Sequence, residues 1–211
     1  MDIAHALPLD ARWHVVQAHQ MGGGRGRLGN QWVAESGNLY LSLILGPDID
    51  ATMRSGLSYA SALAVRNTAI ACGVAADRLA LKWPNDVLMD GQKLSGILLE
   101  VERDRLVIGI GVNVQNPPEG RASLRTGQSV DGVRDRLLLH MHDQYHRLLD
   151  QGIAPILKEW TEHAWRLGET ITVRTKSLNF EGVFIGLDVQ GGLQVQDKGG
   201  MVQIIHSGEV F

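Results

Sequence analysis

Residues 79–98 read LALKWPNDVLMDGQKLSGIL, and this stretch decides the fold. Its leucine, valine and isoleucine residues form runs of strand length that are separated by turn residues. Pro84 fixes the first turn, and Asp90-Gly91 is a pair typical of a two-residue hairpin. The stretch therefore predicts three short strands, at Leu79–Trp83, Val87–Met89 and Leu94–Val101.

The sequence on either side alternates between strand and helix patterns. Alternating leucines predict a strand at Asn38–Leu45, and alanine-rich helical spacing that stops before Gly73 predicts a helix at Ser55–Cys72. Further strands are predicted at Trp13–Ala18 and Leu106–Val114, and further helices at Val133–Leu149 and Ile153–Trp165. This alternation indicates a chain of the α/β (α+β) class.

After Trp165 the pattern changes to short strands separated by glycine, aspartate and asparagine. These strands are predicted at Ile171–Val173, Gly182–Ile185, Leu193–Val195 and Met201–Ile205. Regular spacing of this kind is typical of a small β-barrel. The predicted boundary lies near Leu167-Gly168 and divides the chain into residues 1–167 and 168–211.

Composition and charge exclude several classes of protein. The chain has 211 residues, with 20 Lys+Arg, 23 Asp+Glu and a formal net charge of -3. This balance gives no global attraction to nucleic acid or to an anionic membrane. Cys72 is the single cysteine, which excludes an intrachain disulfide and a cysteine-based zinc site. With no targeting signal and no run of roughly 20 apolar residues, we expect a soluble, cytoplasmic protein without a membrane partner.

The first candidate motif is the loop Gly22–Gly29, which reads GGGRGRLG. Residues 24–29 match G-x-G-x-x-G, but a strand rather than a helix is predicted to follow, so a dinucleotide site is a weak interpretation. Glycines let the backbone approach a ligand, and Arg25 and Arg27 carry forked donors suited to phosphate or carboxylate. We interpret the loop as an anion cradle, although a solvated surface turn would have the same composition.

The second candidate motif is KWPNDV at residues 82–87. Asn85 and Asp86 follow the end of a predicted strand, which is a common position for ligand-binding residues. Lys82 could neutralise a phosphate, and Asp86 could hold Mg²⁺ through oxygen. An ordinary Pro-Asn-Asp turn is the alternative interpretation.

Two further motifs place single polar groups among apolar strand residues. Lys93 lies beside the predicted hairpin and could bring one cation to a small ligand, whereas a solvated hairpin lysine would look the same. Gly109 and Gly111 indicate close packing of a ligand or of another backbone. Asn113 lies in an apolar strand and needs a hydrogen-bond partner, which the core itself could provide.

Taken in order, these motifs resemble those of the biotin protein ligase family. Gly24–Gly29 is similar to the GRGRxG loop of the family, with Trp32 as the tryptophan that follows it. The matching set is completed by GNLY at 37–40, KWPNDV at 82–87, G-x-K-x-x-GIL at 91–98, GIGxNV at 109–114 and SGEV at 207–210. The resemblance runs from about Trp13 to Phe211. It implies a mixed-sheet ligase domain followed by a small SH3-like β-barrel.

The resemblance implies ATP-dependent biotinylation in two steps. The carboxylate of biotin attacks the α-phosphate of ATP, with Mg²⁺ as activator, and yields biotinyl-5′-AMP and pyrophosphate. A lysine of a biotin carboxyl carrier protein then attacks the mixed anhydride. Because two anions must approach each other, cations in the site have to offset their repulsion.

The resemblance also implies a role for each motif residue, with Lys93 and Arg27 as the catalytic cations. The implied biotin-binding set is Gln20, Arg25, Gly26, Arg27, Lys93 and Gly96. The implied ATP-binding or adenylate-binding set is Gly24, Trp32, Lys82, Asn85 and Asn113. Trp32 would cover the adenylate, and Asp86 would face Mg²⁺.

The chain departs from the family pattern at three places. Leu28 and Asn30 stand where arginines are usual, Gln20 lies one residue farther from the loop, and Met1–Ala11 contains no Ser-Thr-Asn segment. We therefore expect a shortened N-terminal element, no N-terminal winged helix and no DNA binding. Strand edges such as Leu106–Val114 could pair in a homodimer.

Two alternatives follow from the same residues. One is a lipoate-type protein ligase, which uses the same acyl-adenylate chemistry. The other is a biotin-binding or adenylate-binding protein that does not transfer its ligand.

Overall fold

A computed structural model describes residues 13–29, 31–45, 51–102, 105–176 and 179–211. The expectations for Met1–Ala11 and for Asn30 lie outside these residues. Within them the strands of the N-terminal part are β1 (Trp13–Ala18), β2 (Gly24–Arg25), β3 (Gln31–Trp32), β4 (Leu39–Leu45), β5 (Leu79–Lys82), β6 (Asp86–Met89), β7 (Gln92–Glu102) and β8 (Arg105–Val112). Every strand that the sequence predicts before residue 115 is therefore confirmed, with ends shifted by one or two residues.

Six of these strands form one sheet in the order β1-β4-β8-β7-β6-β5. Each neighbouring pair is antiparallel, so the sheet expected to be mixed has antiparallel pairing throughout. The turn Asp90-Gly91 joins β6 to β7 with φ angles of 52° and 75°, which is the left-handed geometry of a tight hairpin turn. The hairpin predicted at this pair is confirmed.

Side chains alternate between the two faces of the sheet, and one face supplies most of the core. On β4 the four leucines Leu39, Leu41, Leu43 and Leu45 are buried in this core, together with Ile97 of β7 and Ile108 of β8. The opposite face carries glycines and a smaller apolar cluster of Val16, Ile44 and Val107, and it contributes the floor of the cavity described below. The period-2 pattern of β4 thus sets which face receives the helices.

The helices are α1 (Ala51–Ala71), α2 (Val130–Gln151) and α3 (Ile153–Glu162). Gly73 ends α1 with a φ of +97°, its N–H donating to Ile70 and that of Val74 to Ala69, as the sequence predicts for a glycine stop. Ser129 caps α2 by accepting a hydrogen bond from the N–H of Gly132. None of the helices described is long and apolar enough to cross a membrane.

The C-terminal strands are β9 (Thr170–Arg174), β10 (Asn179–Leu187), β11 (Leu193–Gln196), β12 (Val202–Ile205) and β13 (Glu209–Val210). They form a second antiparallel sheet in the order β12-β11-β10-β9-β13. This sheet is the small SH3-like barrel that the sequence predicts, with β13 as a strand that the sequence pattern does not indicate. Tyr59 and Trp83 donate hydrogen bonds to the carbonyl of Gly191 over 2.5 and 3.3 Å and tie this sheet to the rest of the chain.

Candidate active site

A cavity of about 1110 Å³ lies on the face of the six-stranded sheet that the helices leave open. Strand register brings two rows of residues across four strands to its floor. The first row is Ala18, Tyr40, Gly111 and Gly96, and the second is Val16, Ser42, Gly109 and Leu98. Three of these eight residues are glycines, so the centre of the floor is backbone rather than side chain.

The glycine floor is covered by the indole of Trp32 at one end. A Cβ at Gly96 would lie 2.6 Å from Cζ3 of Trp32, and a Cβ at Gly111 would lie 2.7 Å from its Cζ2. The group that approaches these glycines closely is therefore the tryptophan ring. A ligand that is to contact Gly96 and Gly111 has to displace this ring.

The glycine-rich loop forms a two-residue ribbon, β2 with β3, in which Gly24 pairs with Trp32 and Arg25 with Gln31. Between the two strands lies a short 3₁₀ turn at Arg27–Gly29. No long helix therefore begins at Gly29, as the sequence predicts. Nη2 of Arg25 lies 3.6 Å from Oε2 of Glu100. The loop is thus held against the cavity from the side of β7.

Lys93 of the third motif forms an ion pair with Asp86 of the second motif. Nζ of Lys93 lies 2.6 Å from Oδ1 of Asp86, and both side chains are largely buried. The same ammonium lies 5.2 Å from the centre of the Trp32 ring. Strand register explains the contact, because Lys93 pairs with Leu88, which lies two residues beyond Asp86 on the same face of β6.

The other two predicted cations, Arg27 and Lys82, are partly buried and line the same cavity. Burial lowers the pKa of the Arg27 guanidinium, and the nearby charges of Asp86 and Glu209 offset part of that effect. Burial also lowers the pKa of Lys82, whose ammonium lies between the rings of Trp165 and Phe211. A site that keeps cations partly desolvated attracts anionic ligands strongly.

The two predicted asparagines also hold the backbone around the cavity. Nδ2 of Asn85 donates to the carbonyl of Ile97 over 2.5 Å and so fixes the turn against β7. Nδ2 of Asn113 donates to the carbonyls of Ala122 and Lys93 over 2.9 and 3.3 Å. Oδ1 of Asn113 is buried without a partner among the described residues, which leaves one acceptor for a ligand.

All of the residues that the sequence singles out are brought to this one cavity. They are Gln20, Gly24, Arg25, Gly26, Arg27, Trp32, Lys82, Asn85, Asp86, Lys93, Gly96 and Asn113. The individual roles assigned to them remain predictions.

Sequence reasoning missed the lining residues Tyr40, Arg121, Glu209 and Phe211. Tyr40 and Glu209 lie inside the GNLY and SGEV segments, so those segments were the available signal. It also gave no role to Asn38, whose Oδ1 accepts hydrogen bonds from the N–H groups of residues 114, 115 and 116. Arg121 lies in an irregular segment with no signal of its own.

In the part of the chain that the structure describes, no group of three His, Cys, Asp or Glu side chains could hold a metal ion by itself. Asp86 lines the cavity and offers one carboxylate. Because Mg²⁺ is commonly bound by one or two carboxylates together with substrate phosphates, a single aspartate fits an ion that arrives with a nucleotide.

Comparison with known proteins matches both parts of the chain to the family that the sequence motifs resemble. Residues 6–115 match the biotin/lipoate A/B protein ligase family, and residues 167–211 match the biotin protein ligase C terminal domain. The chain is 38% identical to the biotin–[acetyl-CoA-carboxylase] ligase of Paracoccus denitrificans, over 93% of this chain and 89% of that one. It is 33% identical to the bifunctional ligase/repressor BirA of Bacillus subtilis, over 90% of this chain and 63% of that one.

A solved structure with a related fold is that of the biotin protein ligase from Aquifex aeolicus in complex with biotin and ATP. It superposes with a TM-score of 0.81 at 27% identity, over 93% of this chain and 87% of that one.

Proposed function

The chain belongs to the biotin/lipoate A/B protein ligase family, and from that premise we infer that it is a biotin protein ligase. It forms biotinyl-5′-AMP from biotin and ATP and transfers the biotin to a lysine of a biotin carboxyl carrier protein. The single observation that carries this function is the cavity, in which cations from three separate motifs meet over a floor of glycine backbone. The chemistry demands such a site, because a carboxylate must approach a polyphosphate.

The first step depends on charge and position rather than on a nucleophile of the protein. Arg25, Arg27 and Lys93 would contact the biotin carboxylate and the α-phosphate, where negative charge develops in the transition state. Since Lys93 is paired with Asp86, the ammonium is already oriented toward the cavity. Gln20, Gly26 and Gly96 would complete the biotin site.

On the nucleotide side, Lys82, Asn85 and Gly24 would face ATP, and Oδ1 of Asn113 would accept a hydrogen bond from it. Trp32 would cover the adenylate after leaving the floor at Gly96 and Gly111. Asp86 would hold the Mg²⁺ that accompanies ATP, and this ion would help to neutralise the phosphates. Asp86 would then exchange its contact with Lys93 for the ion.

In the second step the site has to keep water from the anhydride until the carrier lysine arrives. We propose that the ribbon formed by β2 and β3 provides this protection, because it lines the cavity and the glycines at 22–24 allow it to move. Its release would admit the lysine.

The test combines purified protein, radiolabelled biotin, Mg·ATP and a biotin carrier domain, followed by quenching and separation. ATP-dependent label on the carrier is the expected result. Biotinyl-AMP without labelled carrier would place the defect in transfer. If neither biotinyl-AMP nor labelled carrier forms, that result would contradict the proposed function. Lipoate offered in place of biotin tests the first alternative, and biotin binding by calorimetry without any labelling would support the non-transferring protein.

Three proposals concern partners and location. We propose that the chain does not bind DNA, which a gel-shift assay with genomic fragments would test. We propose that it pairs with a second copy through a strand edge, which sedimentation would test. Because its substrate ATP is cytoplasmic, we propose the cytoplasm as its location, which cell fractionation would test.

A further inference from the structure

The ammonium of Lys82 is held by two aromatic rings. Its Nζ lies 5.1 Å from the centre of the Trp165 ring and 5.5 Å from that of Phe211. Cations within about 6 Å of a ring face are attracted by its quadrupole. Lys82 and Phe211 both line the main cavity, so this aromatic cage belongs to its wall.

The two rings come from different parts of the fold and are fixed by backbone hydrogen bonds. The N–H of Trp165 donates to the carbonyl of Leu81, the neighbour of Lys82, over 2.8 Å. Phe211 exchanges two hydrogen bonds with Thr172 of β9, over 2.9 and 3.1 Å. The cage therefore exists only when the C-terminal sheet is in place.

An arginine lies over each of the same rings. The guanidinium of Arg166 lies 4.5 Å from the centre of the Trp165 ring, and that of Arg174 lies 4.6 Å from that of Phe211. Each ring thus contacts two cations.

Lys82 differs from Lys93 in forming no ion pair within 4 Å among the described residues, although Asp86 lies opposite it in the strand register. Lys93 is paired with Asp86 at 2.6 Å, whereas Lys82 forms no ion pair with any described residue. Asp86 and Glu209 face Lys82 at longer range, as do the cations Lys93 and Arg121. An ammonium stabilised by rings keeps its charge available, because no ion pair has to break when an anion binds.

We propose that Trp165 and Phe211 are positioning residues, which hold the ammonium of Lys82 toward the phosphates of ATP in place of a counter-ion. This inference rests on the proposed function, since it takes ATP as the anion. It gives the C-terminal sheet a direct part in nucleotide binding.

The test replaces one ring in the full-length chain. Phe211→Leu keeps apolar bulk but has no ring face, and Phe211→Tyr keeps the ring. For Phe211→Leu we expect the KM for ATP in biotinyl-AMP formation to rise about tenfold, while the KM for biotin and the rate of transfer from added biotinyl-AMP stay unchanged. Phe211→Tyr should restore the KM for ATP to within about twofold of the original value.

The pH profile gives a second readout. Loss of the ring removes stabilisation from the charged amine, so the pKa of Lys82, already lowered by burial, should fall further in Phe211→Leu. The alkaline limb of the profile for biotinyl-AMP formation should therefore move to lower pH. Phe211→Tyr should leave the limb in place.

Phe180→Leu is the matched control, because Phe180 lies in the same sheet and packs against the core without lining the cavity. It should lower stability without changing the KM for ATP. An unchanged KM for ATP in Phe211→Leu, or an equal rise in Phe211→Tyr or Phe180→Leu, would overturn the proposal.

Calorimetry of Mg·ATP binding separates this proposal from the proposed function. If the original chain forms no biotinyl-AMP, the proposed function fails. The cage is then judged by the Kd for ATP alone. We expect that Kd to rise about tenfold in Phe211→Leu and not in Phe211→Tyr, and an unchanged Kd would overturn the cage.

Discussion

Lys93 and Lys82 illustrate two ways in which one fold holds a cation in the wall of one cavity. Lys93 is oriented by a carboxylate at 2.6 Å, whereas Lys82 is oriented by ring faces. The first arrangement fixes the direction of the ammonium, but the ammonium has to exchange Asp86 for the ligand when an anion binds. The second leaves the charge unpaired, at the cost of burial that lowers the pKa of the amine.

Replacement of Lys93 tests the first arrangement. Lys93→Ala removes the cation that we propose to contact the biotin carboxylate and the α-phosphate, and it leaves Asp86 without its partner at 2.6 Å. We expect biotinyl-AMP formation to fall roughly 10²-fold, the scale typical of losing one electrostatic stabiliser, measured by single-turnover kinetics. The loss should depend little on salt, because the side chain is largely buried. Lys198→Ala, at an exposed turn, is the control, and near-normal activity of Lys93→Ala would remove Lys93 from the mechanism.

The contact of Trp32 with the glycine floor leads to a second prediction. In Gly111→Ala the added methyl group would lie 2.7 Å from the ring, so the ring and the ribbon that carries it must shift. We expect trypsin to cleave Gly111→Ala after Arg25 and Arg27 several-fold faster than it cleaves the original chain, as measured by mass spectrometry. The double variant with Trp32→Ala should be cleaved no faster than Trp32→Ala alone, because the clash no longer exists. Equal cleavage of Gly111→Ala and the original chain would contradict this packing.

Residue chemistry was the part of the site most accessible from the sequence. Arginine, lysine and glycine in short motifs indicate an anion site, because their donors and close backbone approach suit phosphate or carboxylate, and the ordered set of motifs favours this over solvated turns. The sequence could not show that the side-chain amides of Asn85 and Asn113 donate hydrogen bonds to backbone carbonyls. It also could not show that Trp32 lies on the floor, since that depends on which glycines the register brings together.

At the scale of elements, periodicity predicted the strands and helices but not their ends. α1 begins four residues before the predicted Ser55, and α2 begins at Val130 because Ser129 caps it. α3 ends at Glu162 rather than at Trp165, because the residues after it turn to bond β5. Helix ends are set by such local hydrogen bonds, which apolar spacing does not record.

The helix α1 also carries a titratable group that links it to the C-terminal sheet. Burial raises the pKa of Tyr59 to about 12, from an ordinary value of 10.0. A raised pKa means that the unfolded chain ionises first, so the stability that the neutral phenol contributes is complete below pH 10 and is lost as the pH rises through 12.

Tyr59→Phe should show this dependence in urea unfolding at several pH values. At pH 8 we expect the variant to be less stable by about 1 kcal/mol, because the hydrogen bond to Gly191 is lost. By pH 12 the difference should reverse, since the original chain loses up to roughly 2–3 kcal/mol that the phenylalanine variant does not lose. A difference that stays constant with pH would contradict the assigned burial of Tyr59.

For the whole molecule, the sequence predicted a catalytic part followed by a small barrel, and the resemblance supplied their order and kind. What the sequence could not provide is how the two sheets meet, because that contact joins residues far apart in the chain. Tyr59 of α1 and Trp83 of the KWPNDV turn bond to Gly191 in a turn of the C-terminal sheet, and core residues of both sheets pack in one cluster. The strand β13 could not be predicted, because a strand of two residues is too short to show an alternating pattern.

Gly191→Ala tests whether this contact joins the two sheets into one cooperative unit. Gly191 has a φ of +86°, and a Cβ there would lie 2.5 Å from Cε2 of Tyr59, so the substitution adds both backbone strain and a clash. Gly200→Ala is the matched control, because Gly200 has a φ of +82° in the same sheet and a Cβ would meet nothing within 4 Å. Both variants should lose about 1–2 kcal/mol of stability from strain.

Only Gly191→Ala should separate the sheets, which calorimetry would record as two unfolding transitions instead of one. Only this variant should also raise the KM for ATP, because Phe211 moves with the C-terminal sheet and Lys82 does not. If Gly191→Ala unfolds in a single transition with an unchanged KM for ATP, the hydrogen bonds to Gly191 do not hold the sheets together. The cage around Lys82 would then depend on the backbone hydrogen bonds of Trp165 with Leu81 and of Phe211 with Thr172.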